Sequence, residues 1–215
     1  MKKITFVMQT NNDWLKLTRE CKVTFIPLIK ERGYDFYELD YTTNQNTFLE
    51  NLIEVALTTK SDYIGCLFDD LFFDKIDIPS REVLLSYFED TMADYIRLDG
   101  RPPGTGDVKF EIDGNQYRVI KNDEYKFSTV LGVFNIKLLE KMKAAGVKSA
   151  WDIEKFKCHE TFCLAPSKRT CSYSNLLVKG QLDVLPFIGV KMNLSILKSI
   201  KRYCYRIYTS LVRGV

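Results

Sequence analysis

Short apolar runs and stretches of helical periodicity take turns along the first hundred residues. That alternation constrains the fold more than any other feature of the chain. "KKITFVMQT" (2–10) is a β-branched and aromatic run ending in polar residues, the pattern of a buried first strand. Asn12 or Asp13 can cap a helical stretch reaching Arg32, with Pro27 kinking or dividing it and Gly33 ending it. "YDFYELD" (34–40) reads as a second strand. Thr47 and Glu50 then form a capping-box pattern ahead of Phe48, Leu49, Leu52, Ile53 and Ala56, whose helical spacing predicts a helix to about residue 59. "DYIGCLF" (62–68) is the third strand. Pro79 and Ser80 open the helix "REVLLSYFEDTM", and "ADYIRL" (93–98) returns as a strand. Strands that alternate with helices imply a largely parallel sheet covered on both faces, and such sheets bind ligands beyond the carboxyl ends of their strands.

The pattern changes after residue 98. "DGRPPGTGD" (99–107) is a Gly/Pro loop with no regular structure expected. "VKFEIDGNQYRVI" (108–120) has two alternating arms around Asp113-Gly114, a strong hairpin signal. "FSTVLGVF" (127–134) reads as a strand and "NIKLLEKMKAA" (135–145) as a helix stopped by Gly146; Ser149 and Asp152 can cap a short helix, "AWDIEKF". No internal repeat or linker divides the chain, so one domain over residues 1–190 with a tail over 191–215 is the simplest organisation.

Composition narrows the function classes. At 215 residues the chain is long enough for a substantial core, and 46% hydrophobic with 27% charged residues is ordinary globular usage. No run approaches the roughly 18 apolar residues of a membrane span, and the first residues read as a strand and not as a signal peptide. The six cysteines form no C-x-x-C pair, which fits reduced cytosolic thiols. His159, the only histidine, stands near Cys158, Cys163 and Cys171 in a spacing that matches no common zinc pattern. A nucleophile elbow is missing, and so is the Asp-X-Asp-X-Thr of an Asp-nucleophile phosphohydrolase.

Asp69 and Asp70 adjoin at the end of the third apolar run. Like charges so close call for a cation, a hydrogen-bond network or open solvent. Adjacent carboxylates at a strand end can hold a divalent cation such as Mg²⁺ or Mn²⁺ that bridges the phosphates of a nucleotide. The competing reading is a solvated turn in which one aspartate caps the next segment.

An apolar strand followed by Asp-Asp and then "LFF" resembles the small bacterial glycosyltransferase-like proteins of GT-A fold, whose "DDFF"-type motif stands where the wider family has its metal-binding Asp-X-Asp. "ITFVMQT", "YIRLDGRP", "FSTVLGVFNIKLLEKM", "SAWDIEKF" and "LLVKGQL" are similar to further elements of that family in the same order, over roughly residues 3–185. The departure is at Leu71, where Asp-X-Asp would carry its second acid. The resemblance implies an α/β fold with a GT-A-like (Rossmann-like) mixed central sheet flanked by helices, a β-hairpin insertion and a basic amphipathic C-terminal helix. It implies sugar transfer from a nucleotide-sugar donor to a glycan or lipid-linked acceptor in bacterial surface polysaccharide synthesis. Asp69 and Asp70 would then hold the divalent cation, and Thr10, Arg97 and Lys179 would face the nucleotide. Asp99, Arg101 and the stacking platform Trp151 would meet substrate, and Asp152 or Glu154 would take the acceptor's proton. The residues alone also fit a hydrated edge for Arg97, Asp99 and Arg101, a helix cap for Asp152 and a water-facing Glu154.

The tail is read separately. Residues 191–215 carry six basic and no acidic residues, so removing those six from the net +3 leaves the body at −3. Leu194, Leu197, Ile200, Cys204, Ile207, Tyr208 and Leu211 share one helical face, with Lys198, Arg202, Arg206 and Arg213 opposite. Such a helix can lie on an anionic membrane surface or dock on the domain. The expected location is cytoplasmic, peripheral at the inner face of the membrane. Nucleic acid is not an expected partner, since no recognition motif appears and the body is acidic. The rivals to a transferase are a non-catalytic nucleotide-sugar or glycan-binding relative and a nucleotidyltransferase, which lacks its Gly-rich loop after "FVMQT".

Overall fold

All seven residues of β1 (Ile4–Thr10) are buried, because a strand with neighbours on both edges and helices on both faces has no polar side. The computed structural model describes residues 2–10, 22, 25–40, 47–68, 71–121, 126–175, 177–178 and 181–182. Asp69, Asp70, Lys179 and the tail from 183 onward, with the expected helix over 194–213, lie outside the described residues. The chain forms two compact units, Met1–Tyr173 and Ser174–Val215, and the expected domain boundary after residue 190 falls outside the described residues.

In the first unit, β1 pairs in parallel with β2 (Asp35–Asp40) and β3 (Tyr63–Phe68). A helical segment over 25–31, α1, and α2 (Phe48–Thr59) make the crossovers. Pro27 sits inside α1 without dividing its described part. Gly33 ends α1 at φ +83, where the Gly33 and Tyr34 amides donate to the Lys30 and Ile29 carbonyls, the paired bonds of a left-handed helix stop. The expected capping box at α2 does not form. Thr47 makes no side-chain cap bond, and its hydroxyl instead accepts from the Asn51 amide at 3.4 Å.

β4 (Leu71–Ile76) follows β3 after two residues and leaves the main sheet to pair with β10 (Cys171–Asn175). α3 (Arg81–Thr91) then leads to β5 (Tyr95–Arg97). β6 (Val108–Ile112) and β7 (Asn115–Val119) form the expected hairpin, with Asp113 at φ 49 and Gly114 at φ 74, as a two-residue turn of this hand requires. It joins the edge of the main sheet through β7 and β9 (Cys163–Pro166). β8 (Gly132–Asn135) enters antiparallel between β3 and β5, followed by α4 (Ile136–Ala144) and α5 (Ala150–Lys155). The eight-stranded order is β2-β1-β3-β8-β5-β9-β7-β6, a mixed sheet. Its two faces bury separate cores, Phe6, Met8 and Leu67 in one, Val7, Cys66 and Phe134 in the other, as the two-residue period of a strand demands. In the second unit, β11 (Leu177–Val178) and β12 (Gln181–Leu182) pair antiparallel, so the described residues of "LLVKGQL" form two short strands and not one.

Candidate functional site

The parallel strands β1, β3, β5 and β9 all end at the same edge of the main sheet, at Thr10, Phe68, Arg97 and Pro166. Because β8 runs the other way, the segment before it, residues 126–131, lies over that edge. It is tied there from both sides: the Leu131 amide donates to the Cys66 carbonyl at 3.1 Å, and the Leu98 amide donates to the Leu131 carbonyl at 2.8 Å. The run "FSTVLGVF" predicts a strand from residue 127, whereas β8 begins only at Gly132. In place of a ladder, Ser128 and Thr129 supply side-chain partners, and two successive hydroxyl residues ahead of a glycine were the available signal.

Every amide from Ser128 to Leu131 is accounted for. Ser128 donates to the Tyr95 phenol oxygen at 2.8 Å, Val130 to the Ser128 hydroxyl at 3.2 Å, and Thr129 to Glu154 Oε1 at 3.4 Å. The Thr129 hydroxyl donates to the same oxygen at 3.1 Å. Tyr95 is wholly buried in β5, and burial pushes its phenol up to about 12; its hydroxyl donates back to the Ser128 carbonyl at 3.1 Å.

The Glu154 carboxylate is thus fixed at the carboxyl edge, half-buried, while Ile153 beside it is sunk in the core. Trp151 lies three residues earlier on α5, hence on the same helical side, and is 63% exposed. Asp152 points elsewhere. Its Oδ2 accepts the Ser149 amide at 2.9 Å and the Lys148 amide at 3.3 Å, and Ser149 Oγ accepts the Asp152 amide at 3.1 Å, a complete capping box. The Ser149 amide, and then its hydroxyl, hold the Asp152 carboxyl below the ordinary carboxylate range.

Arg97 is fully buried, and its guanidinium donates to the Pro102 carbonyl at 2.6 Å and the Lys126 carbonyl at 3.0 Å. It therefore joins the 99–107 loop to the 126–131 segment. The loop is irregular, as expected, but closely packed. A Cβ on Gly100 would stand 2.3 Å from the Lys168 carbonyl oxygen, and one on Gly104 would stand 2.5 Å from that of Ala165. Asp99 is 2% exposed; its Oδ2 accepts Arg101 Nε at 2.7 Å, while its Oδ1 is buried without a hydrogen-bond partner. Thr10 is buried, and its hydroxyl donates to the Leu39 carbonyl in β2 at 3.2 Å. Gln9, which no sequence motif marks, pairs in register with Phe68, and its Oε1 is a second buried oxygen without a partner. Thr10 and Arg97 thus stand at the carboxyl ends of their strands, Asp99 and Arg101 follow β5, and Glu154 is tied to the 126–131 segment through Thr129, with Trp151 three residues before it.

His159 is exposed, and burial pushes Cys163 up to about 12 and Cys171 up to about 11. Among the described residues no cluster of His, Cys, Asp and Glu can hold a metal ion, and no helix is long and apolar enough to cross a membrane.

The fold is α/β, with a mixed eight-stranded central sheet between helical layers. No family profile and no curated protein matches the sequence. Among solved structures, the chain is similar to A197 from STIV, with a TM-score of 0.50 and 12% identity over 83% of this chain and 87% of that one. At that identity the likeness is one of fold. S. aureus TarS 1–349 aligns with a TM-score of 0.43 and 10% identity over 80% of this chain, which spans 59% of that protein. The apo UDP-glucose pyrophosphorylase aligns with a TM-score of 0.41 and 10% identity, over 80% of this chain and 76% of that one. These two overlays are too loose to bear on chemistry.

Proposed function

We propose that the chain transfers a sugar from a nucleotide-sugar donor to a hydroxyl of a glycan or lipid-linked acceptor, with Glu154 as the base. The observation that carries this reading is the Glu154 carboxylate, anchored through one oxygen at the carboxyl edge of the sheet beside the exposed indole of Trp151. In the step, Glu154 Oε2 takes the proton of the acceptor hydroxyl as that oxygen forms a bond to the sugar's anomeric carbon. The bond from that carbon to the nucleotide's phosphate oxygen breaks, and the nucleotide leaves with the electron pair. Trp151 offers an apolar face for a sugar ring. Asp99 Oδ1, buried and without a partner, suits a sugar hydroxyl, and Arg101 holds its other oxygen. Asp152 is committed to its helix cap and Arg97 to two carbonyls, so the chemistry falls to Glu154.

Asp69 and Asp70 follow the end of β3, and a divalent cation there would offset the charge of a departing diphosphate. Lys179 as a phosphate contact, residues 194–213 against an anionic membrane, and a place in surface polysaccharide synthesis belong to the same proposal.

The test is Glu154→Gln. The amide oxygen still accepts from Thr129, so the segment stays anchored while the base is lost. With a panel of UDP-, GDP-, CMP- and dTDP-sugars and Mn²⁺, one donor should be turned over, and the variant should bind its nucleotide as the parent does while losing at least ~100-fold in kcat. Undiminished turnover by Glu154→Gln removes Glu154 as the base. Nucleotide binding without turnover in the parent chain would favour the non-catalytic relative.

A further inference from the structure

We propose that Thr129 is the positioning residue of this site: it selects which oxygen of Glu154 meets the substrate and ties that oxygen to the central strand β5. The inference rests on the reading of Glu154 as the base. Thr129 is 2% exposed, and both of its donors, the amide at 3.4 Å and the hydroxyl at 3.1 Å, converge on Oε1. An oxygen that already accepts two bonds has its acceptor sites occupied in those directions, so Oε2 is the one presented to the substrate.

Thr129 is itself held. Ser128 on one side exchanges two hydrogen bonds with the buried Tyr95 phenol, and Leu131 on the other is bound to the Cys66 and Leu98 backbones. Gly132 closes the turn so tightly that a Cβ would lie 2.1 Å from the Ser128 carbonyl oxygen. The carboxylate therefore inherits its place from the sheet and not from the six-residue helix that carries it. A base on so short a helix has few intrahelical bonds to fix it, and a misplacement of the reacting atoms is costly in rate.

Two variants separate position from packing. Thr129→Val keeps the shape and the amide bond but removes the hydroxyl; Thr129→Ser keeps the hydroxyl. With the nucleotide-sugar that the parent turns over, Thr129→Val should lower kcat about tenfold, the equivalent of one charge-assisted hydrogen bond, with KM for that donor unchanged within about twofold. Thr129→Ser should retain more than about half of the rate. An unchanged kcat in Thr129→Val overturns the proposal, and so does an equal loss in Thr129→Ser.

A second readout needs no turnover. Carbodiimide activation with glycinamide capture, followed by peptide mass spectrometry, measures how freely the Glu154 carboxyl reacts. Labelling of Glu154 should be several-fold faster in Thr129→Val than in the parent or Thr129→Ser, and equal rates in all three overturn the anchoring. Faster labelling in Thr129→Val together with full activity of Glu154→Gln would sink the base reading while leaving the anchor standing.

Discussion

Replacing Gly132 with alanine tests whether the 126–131 segment is held as tightly as its contacts require. A Cβ at this position would stand 2.1 Å from the Ser128 carbonyl oxygen and 2.8 Å from both Cε2 and the hydroxyl of Tyr95. Gly132 has no positive φ, so the cost is one of contact and not of backbone conformation. Forcing a methyl group into a packed site costs about 1–3 kcal/mol, and displacing Ser128 puts at risk two hydrogen bonds to Tyr95 worth about 1 kcal/mol each. With both bonds lost the sum is about 3–5 kcal/mol, which with a urea slope of roughly 2 kcal/mol/M lowers the unfolding midpoint by about 1.5–2.5 M. The assay is urea unfolding followed by circular dichroism, with Gly114→Ala as the comparison. Gly114 has φ +74 and nothing within 4 Å of its would-be Cβ, so its cost is conformational, about 1 kcal/mol. A midpoint for Gly132→Ala within about 0.3 M of the parent would refute the reasoning, because the segment would then be free to move aside.

Lys60 occupies the left-handed position after α2 at φ 53, with the Lys60 and Ser61 amides bonded to the Leu57 and Ala56 carbonyls. Lys60→Gly should therefore stabilise by about 0.5–1 kcal/mol, and a lower melting temperature would contradict this. Burial raises Tyr95 from its ordinary 10.0 to about 12 and Cys163 from 9.0 to about 12. Both groups are neutral when folded, so their contribution is complete below pH 9 and is lost as pH rises through the folded values. Urea midpoints should fall steadily from pH 9 to 12, and a flat profile to pH 11 would reject that account. Asp152→Asn weakens the α5 cap and should cost about 0.5–2 kcal/mol in thermal unfolding with kcat kept within about threefold. A loss of turnover as large as that of Glu154→Gln would return Asp152 to candidacy as the base.

What the sequence determined by itself is what depends on local period and turn chemistry. The strands "ITFVMQT" and "YIGCLF", the helices from Phe48 and Ile136, the stop at Gly33 and the Asp113-Gly114 turn are each specified by neighbours a few residues apart. The Ser149–Asp152 capping box is equally local, which is why its pattern was legible. The similar Thr47–Glu50 pattern did not form its box, because the same letters can bond elsewhere and a four-residue motif does not fix that choice.

Tertiary structure decided where each segment pairs. The insertion of β8 between β3 and β5, the departure of β4 to pair with β10, and the packing of the Gly/Pro loop against Lys168 and Ala165 all depend on residues dozens of positions apart. So do the roles of the candidate residues. Arg97, Asp99 and Glu154 look alike on paper as charged groups near an edge. Only long-range contacts made one a link between two loops, one a buried acceptor with an oxygen to spare, and one a carboxylate held by a threonine 25 residues away. Hydrogen bonds of that reach are made after the chain has collapsed, and their partners leave no periodic trace in the sequence.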